Sequence, residues 1–468
     1  MNEKKKPILG QEAVTDARTL GTPRMLILGL QHLFAMFGAT VLVPILVQGY
    51  GLPLSIQTTL LMAGLGTLLF HLCTKFKVPA FLGSSFAYLG GFSTVASMPA
   101  YDGLDPELKL AYALGGIVIA GLLYLVLALL FKVLGAKTVM RYFPPIVTGP
   151  MIIMIGLNLS GSAITNASSC WWLALVSMAI IVVANIWGKG MVKIIPILLG
   201  VVGSYIVAVI ATLCGAQLPD ANGVMQPLVN FASVGEAHLI GLQKFILAKF
   251  DVSAVLVMAP IAIAAMMEHI GDISAISSTT GHNFIEDPGL HRTLTGDGLA
   301  TAFAGMFGGP ANTTYGENTG VLELSQVFDP KVVRLAAIYA VVLSFSPKFD
   351  ALVNSIPSAI VGGVSFILYG MISAIGVRNV VENRVDFTNS RNLIIAAVIM
   401  VCGLGFKIWG NNNEFSGLTF HVGGASVTLT SLAIAAIAGI ALNAILPGKD
   451  YEFGADVTKG RSGDFGRY

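Results

Sequence analysis

Pro310-Ala311-Asn312-Thr313-Thr314-Tyr315-Gly316-Glu317-Asn318-Thr319-Gly320-Val321-Leu322 is a polar stretch in an otherwise hydrophobic neighbourhood. Lipid offers no hydrogen bonds, so irregular polar backbone at membrane depth is tolerated only where it lines a cavity or is buried in protein. Gly316 removes a side chain where the backbone could approach a ligand and leaves its N–H free to donate, while Glu317 can accept two hydrogen bonds. A helix beginning here would add its positive dipole end to the same place.

The rest of the chain supplies the membrane. Of 468 residues, 55% are apolar and 11% charged, and the mean hydropathy is +0.78, so the surface must use lipid as a solvent. Glycines fall inside apolar runs (Gly64, Gly66, Gly115, Gly116, Gly362, Gly363), where small residues let membrane helices approach closely. The net charge is only +2 and the basic residues form no stripe interleaved with aromatics, which argues against a nucleic-acid partner. Cys73, Cys170, Cys214 and Cys402 have no paired spacing, so neither a disulfide framework nor a metal site is expected.

About twenty apolar residues cross the hydrocarbon core as a helix. The clear spans are 25–47, 57–74, 110–131, 143–159, 170–187, 193–213, 252–271, 331–345, 355–376, 392–408 and 424–446; 79–97, 292–309 and 311–328 carry polar residues, Gly and Pro at depth. Fourteen alternating spans from a cytoplasmic start agree with the excess of Lys and Arg on the inner side: of 27 basic residues, only Lys109, Lys244, Lys249, Lys348 and Lys407 fall in outer segments. No removable signal peptide is expected before the first span, and both termini are expected in the cytoplasm, with the protein multi-pass in the plasma membrane.

An internal repeat follows. Gln31-His32-Leu33-Phe34-Ala35-Met36-Phe37-Gly38 in the first span is matched by Glu268-His269-Ile270-Gly271-Asp272 in the eighth. Pro79-Ala80-Phe81-Leu82-Gly83-Ser84-Ser85-Phe86 in the third is matched by Pro310-Ala311-Asn312 onward in the tenth. An odd number of spans per repeat inverts the second copy, and paired interrupted segments in inverted repeats point to a transporter's central site.

Glu268 and Asp272 lie four residues apart on one helical face. A charge at the bilayer centre costs roughly 2.5–3.5 kcal/mol or more, so such groups face a cavity, a partner or a substrate; no Lys or Arg within a span is near enough in sequence to pair with them. Ser85-Phe86 offers the matching break in the third span, with a ring to stack on a planar ligand. His71 reads as a satisfied interhelical contact, whereas His32, beside Gln31 at the repeat position, reads equally as a proton site. Asp297, in Gly296-Asp297-Gly298, reads equally as a helix cap or a proton-path residue, and Glu323 has no assigned role.

These motifs, with Gly83-Ser84-Ser85-Phe86-Ala87, Asp287-Pro288-Gly289-Leu290-His291-Arg292 and Asn312-Thr313-Thr314-Tyr315-Gly316-Glu317-Asn318, make the chain resemble the nucleobase–ascorbate transporter family of nucleobase–cation symporters, most closely its bacterial uracil permeases, over essentially its whole length. The resemblance implies an all-α polytopic membrane protein of about fourteen helices in two inverted repeats of seven, with short strands in spans three and ten. It implies a core domain at 25–131 (spans 1–4) and 251–345 (spans 8–11), and a gate domain at 132–213 (spans 5–7) and 346–446 (spans 12–14). Around these lie an N-terminal tail 1–24, an extracytoplasmic loop 214–250 and a C-terminal tail 447–468.

It further implies carboxylates at Glu268 and Glu317 on the base, backbone groups at Phe86 and Gly316, Ser85 at the break, and Tyr315 and Tyr369 close by. Relatives often form homodimers through the gate domain. Two positions depart from the uracil pattern: Asp272, usually His there, and Asp297, usually Asn, are acidic in xanthine and urate relatives, which in turn usually carry Gln where Glu317 stands.

The expected function is import of a nucleobase, uracil first, by proton symport with core moving against gate. The proton is expected on Glu268 or Glu317, with Asp272, Asp297 and His32 as further coupling residues, and no cofactor beyond the proton. The alternatives are a xanthine/urate permease of the same family and, from another class, an ion channel. No Ser–His, Cys–His or His-Glu-x-x-His arrangement suggests an enzyme.

Overall fold

The computed structural model describes residues 13–219, 225–411, 417–422 and 425–448. Residues 1–12 of the expected N-terminal tail, 220–224 of the expected outer loop and 449–468 of the expected C-terminal tail lie outside the described residues.

The apolar runs form helices: α1 Thr22–Gly49, α2 Ile56–Cys73, α3 Leu89–Ala96, α4 Pro106–Leu134, α5 Pro145–Ser168, α6 Trp171–Ile186 and α7 Pro196–Leu213 in the first half. The second half holds α8 Val252–Thr280, α9 Leu290–Met306, α10 Gly316–Ser325, α11 Pro330–Ser344, α12 Pro347–Asn354, α13 Ser358–Glu382, α14 Ser390–Asn411 and α15 Ser431–Ile445. Six of these (α1, α4, α5, α7, α11 and α12) have Pro in the first helical turn, where the missing N–H is an orphan in any case. Ser55 caps α2 by accepting from Thr58 N–H at 3.2 Å.

Among the described residues, eight helices are long and apolar enough to cross a membrane, and nine if α11 and α12, which meet at 89°, count as one broken span. The chain is therefore a helical, multi-pass membrane protein.

Two strands interrupt the helices, β1 Leu82–Ser84 and β2 Asn312–Thr314, and they pair antiparallel with Leu82 opposite Thr314, Gly83 opposite Thr313 and Ser84 opposite Asn312. Both are fully buried, so every backbone group needs a protein partner. Ser85 N–H donates to Ala311 O at 2.8 Å and Tyr315 N–H to Phe81 O at 3.0 Å. On the outer flanks, one threonine serves each strand. Thr67 of α2 accepts from Leu82 N–H at 2.9 Å and reaches Leu82 O at 3.2 Å. Thr301 of α9 accepts from Asn312 N–H at 3.2 Å and donates to Asn312 O at 2.9 Å.

The stretch read as a span over 424–446 is helical only from Ser431; Ala425–Thr430 pairs instead with Gly417–Val422 in a hairpin. The reason is local, since Ser426-Val427-Thr428-Leu429-Thr430 alternates polar and apolar residues with the period of a strand. Helices α4 and α9 show why small residues matter: a Cβ at Gly298 would stand 2.5 Å from Tyr124 Cβ and 2.7 Å from Gly121 O.

Candidate functional site

The two strands end pointing at one cavity. β1 runs into a 3₁₀ turn that begins at Phe86, and β2 runs through Tyr315 into α10, whose first turn holds Gly316 and Glu317. α8 passes alongside and contributes Glu268 and Asp272. The opposite wall is apolar, formed by Ile152 of α5 and by Ile372 and Ile375 of α13. With Thr314 these residues enclose about 20 Å³ of free space, room for about one water molecule.

The polar wall is internally tied. Thr314 Oγ1 donates to Asp272 Oδ2 at 3.2 Å and lies 3.4 Å from His269 Nδ1. Glu268 and Glu317 border the same space and are only half-buried, while Asp272 is 5% exposed. One Glu268 carboxylate oxygen is buried without a hydrogen-bond partner. A Cβ built on Gly316 would meet Asp272 Oδ1 and Ile375 Cδ1 at 3.5 Å each, so the missing side chain opens the cavity at this point.

The other expected site residues sit around this wall. Tyr315 borders the cavity, but its hydroxyl is used by β1 and α1: it donates to Ser84 O at 2.9 Å and meets Ser84 Oγ at 3.2 Å and Thr40 Oγ1 at 3.4 Å. Tyr369 stands behind Phe86, its ring edge-to-face at 5.8 Å. Ser85 has a fully buried hydroxyl without a partner. His32 is fully buried away from the cavity, where the Asn318 amide donates to its carbonyl at 3.1 Å and also meets its Nδ1 at 3.1 Å. His71 Nε2 meets Ala80 O at 2.9 Å, so its partner is the loop between α2 and β1 rather than a second helix as the sequence suggested.

Asp297 differs from one of its two readings. α9 starts at Leu290 after Gly289, whose φ is +95°, so Asp297 lies mid-helix and caps nothing. It is fully buried with its Oδ2 2.8 Å from His269 Nδ1. Glu323 is exposed.

Sequence reasoning missed His269 and Thr314 as parts of this cluster and the isoleucine wall. His269 follows Glu268 and so turns about 100° away from it, toward α9, which helical geometry could have indicated. Ile372 follows Tyr369, and Ile375 follows Ile372, at three-residue steps, so each neighbours the one before it on the helix surface. Ile152 carries no sequence signal beyond being apolar.

A buried crossing of two broken segments, with acids on one wall and aliphatic side chains on the other, defines a membrane carrier with a central site. The chain belongs to the Permease family, the nucleobase–ascorbate transporters, whose sequence profile matches residues 23–410. It is similar to the uracil permease of Bacillus caldolyticus, 39% identical over 459 residues, covering 95% of this chain and 96% of that protein. It is also similar to the uracil permease of Bacillus subtilis, 38% identical over 437 residues, covering 89% and 91%. Its fold resembles the transmembrane domain of a cyanobacterial bicarbonate transporter, BicA, with a TM-score of 0.60 at 14% identity, covering 92% of this chain and 99% of that one.

Proposed function

We propose that this protein imports a nucleobase, uracil by preference, in symport with protons. The observation that carries the reading is that Glu268 and Glu317, 49 residues apart in sequence, border one cavity together with Phe86 and Gly316. Uracil presents two N–H donors and two carbonyl acceptors around a flat ring; carboxylates answer the N–H groups, backbone N–H groups at the two breaks answer the oxygens, and the Phe86 ring takes a face. The uracil permeases among its relatives favour the same substrate.

The cavity lies between the strand side and the isoleucine wall, so a base enters as these two part. This supports a core of 25–131 and 251–345 working against a gate of 132–213 and 346–446. The matching roles of Thr67 and Thr301 at β1 and β2 support fourteen spans in two inverted repeats, and the placement of Lys and Arg supports cytoplasmic termini. A proton entering the acid cluster and a base entering the cavity then favour the same occluded state, and no cofactor is needed. Asp272 and Asp297 favour a second reading within the family, a xanthine or urate substrate.

The test uses proteoliposomes. An inward proton gradient drives uphill uptake of labelled uracil; thymine, xanthine, hypoxanthine and urate compete less well than unlabelled uracil; and counterflow exchange, which a channel lacks, is present. Glu268→Gln and Glu317→Gln each lose at least tenfold in uracil uptake. Full uptake by both variants, or stronger competition by xanthine than by uracil, would overturn the assignment.

A further inference from the structure

Behind the cavity wall lies a second buried unit whose residues do not line the cavity. His269 and Asp297 are both fully buried, on α8 and α9, with Nδ1 and Oδ2 2.8 Å apart. The Asp297 oxygens have no well-directed hydrogen-bond donor, and His269 Nε2 has no partner. Around His269, α2 presents the Phe70 ring, edge-on at 6.3 Å, β2 presents Thr314, and its own helix carries Glu268 and Asp272. The buried Tyr88 and Tyr124 hydroxyls lack partners. Among the described residues, no Lys or Arg forms an ion pair with Asp297; His269 is the one basic side chain paired with it.

We infer that the His269–Asp297 pair, rather than the carboxylates at the cavity, lodges the coupled proton, and that Thr314 reports its presence to Asp272. The inference rests on the proton-symport reading. With one proton beyond the neutral imidazole's own, the pair is neutral overall, as imidazolium with carboxylate or as imidazole with carboxylic acid; without it, a bare negative charge stands in the protein core, which is costly. Thr314 has a single hydroxyl proton. While Nδ1 is protonated, that hydroxyl accepts from the ring and donates to Asp272, as in the geometry seen here. When that extra proton leaves and the imidazole's remaining proton rests on Nε2, Nδ1 becomes a competing acceptor, and one O–H cannot serve both. Asp272 then loses its donor at the cavity wall, so proton occupancy behind the wall changes the polar surface that meets the base.

In proteoliposomes, one proton per base and an inward gradient of one pH unit give up to about tenfold uracil accumulation. His269→Gln and the isosteric Asp297→Asn are expected to accumulate less than about twofold while still exchanging uracil by counterflow, and the rise of uracil binding with acidity flattens in both. Should His269→Gln fail to fold, Asp297→Asn carries the test alone. Accumulation and a pH profile like those of the unmodified protein in the folded variants, or loss of counterflow with unchanged thermal stability, overturns the inference. If the unmodified protein exchanges uracil but ignores the gradient, proton symport itself falls and this inference with it; gradient-driven uptake by the unmodified protein alongside fully coupled variants overturns the inference alone.

Discussion

The ring of Phe86 meets the ring of Tyr369 edge to face, with centroids 5.8 Å apart and planes at 74°. Phe86 opens the 3₁₀ turn after β1 and Tyr369 belongs to α13, so this contact joins the strand side of the cavity to the helix that supplies its aliphatic wall. Both rings are buried.

An aromatic pair of this geometry contributes about 0.5–1.5 kcal/mol beyond its buried area. Phe86→Ala removes both that contact and a face for the base, so uracil affinity falls by about tenfold or more in equilibrium binding, whereas Phe86→Tyr retains the ring and most of the affinity. Equal binding by Phe86→Ala and the unmodified protein would remove Phe86 from the site.

Gly316→Ala separates space from stability. The added methyl finds ordinary contacts at 3.5 Å with Asp272 and Ile375, and Gly316 begins α10, where Ala is a better helix former than Gly by up to about 1 kcal/mol. The thermal midpoint is therefore expected to stay level or rise slightly while uracil binding weakens at least tenfold. A loss of stability with binding intact would contradict the placement of Gly316 on the cavity.

What the sequence disclosed and what it hid follow from the same physics. Acids in apolar helices are rare and costly enough to stand out, so Glu268, Asp272 and Glu317 were legible one by one, and Pro-Ala before a polar run marked both strands. Thr314 was quoted within its motif, yet its tie to Asp272 depends on β2 passing α8, which no local spacing reports. His269 was hidden by its neighbour Glu268, since a helix turns adjacent residues to different faces. Ile152, Ile372 and Ile375 look like any lipid-facing aliphatic until α5 and α13 are seen to close over the strands. The strand Ala425–Thr430 was absorbed into the span read over 424–446 because a short apolar run cannot tell strand from helix by hydropathy alone.

Thr67 and Thr301 offer a test of the paired architecture. Each serves the backbone of the first residue of a buried strand, and replacement by isosteric Val leaves a buried amide and carbonyl unpaired, a cost of about 1–3 kcal/mol. Thr67→Val and Thr301→Val should lower thermal stability by similar amounts and, because both strands hold the breaks in place, each should also weaken uracil binding. A large loss from one and none from the other would argue against equivalent roles.

The segment leading into α1 is docked on the turn after α10. Val14 N–H donates to Gln326 O and Phe328 N–H to Val14 O, each at 2.9 Å, and Asp329 accepts from Ala17 N–H at 2.8 Å while capping α11 through Lys331 N–H at 2.9 Å. The Arg18 side chain hydrogen-bonded to Asp16, aided by Lys331, holds the Asp16 carboxyl well below the usual carboxylate range. A carboxyl lowered in the folded state adds stability that is fully present above its unfolded value, near 3.9, and lost as pH falls through the folded value. Docking should thus be indifferent to pH between about 5 and 8 and loosen only in strong acid. Asp329→Ala removes a cap and a buried acceptor, worth about 1–2 kcal/mol together, so the amides of Val14 and Phe328 should exchange hydrogen roughly five- to thirtyfold faster at neutral pH; unchanged protection would mean that Asp329 does not hold this segment.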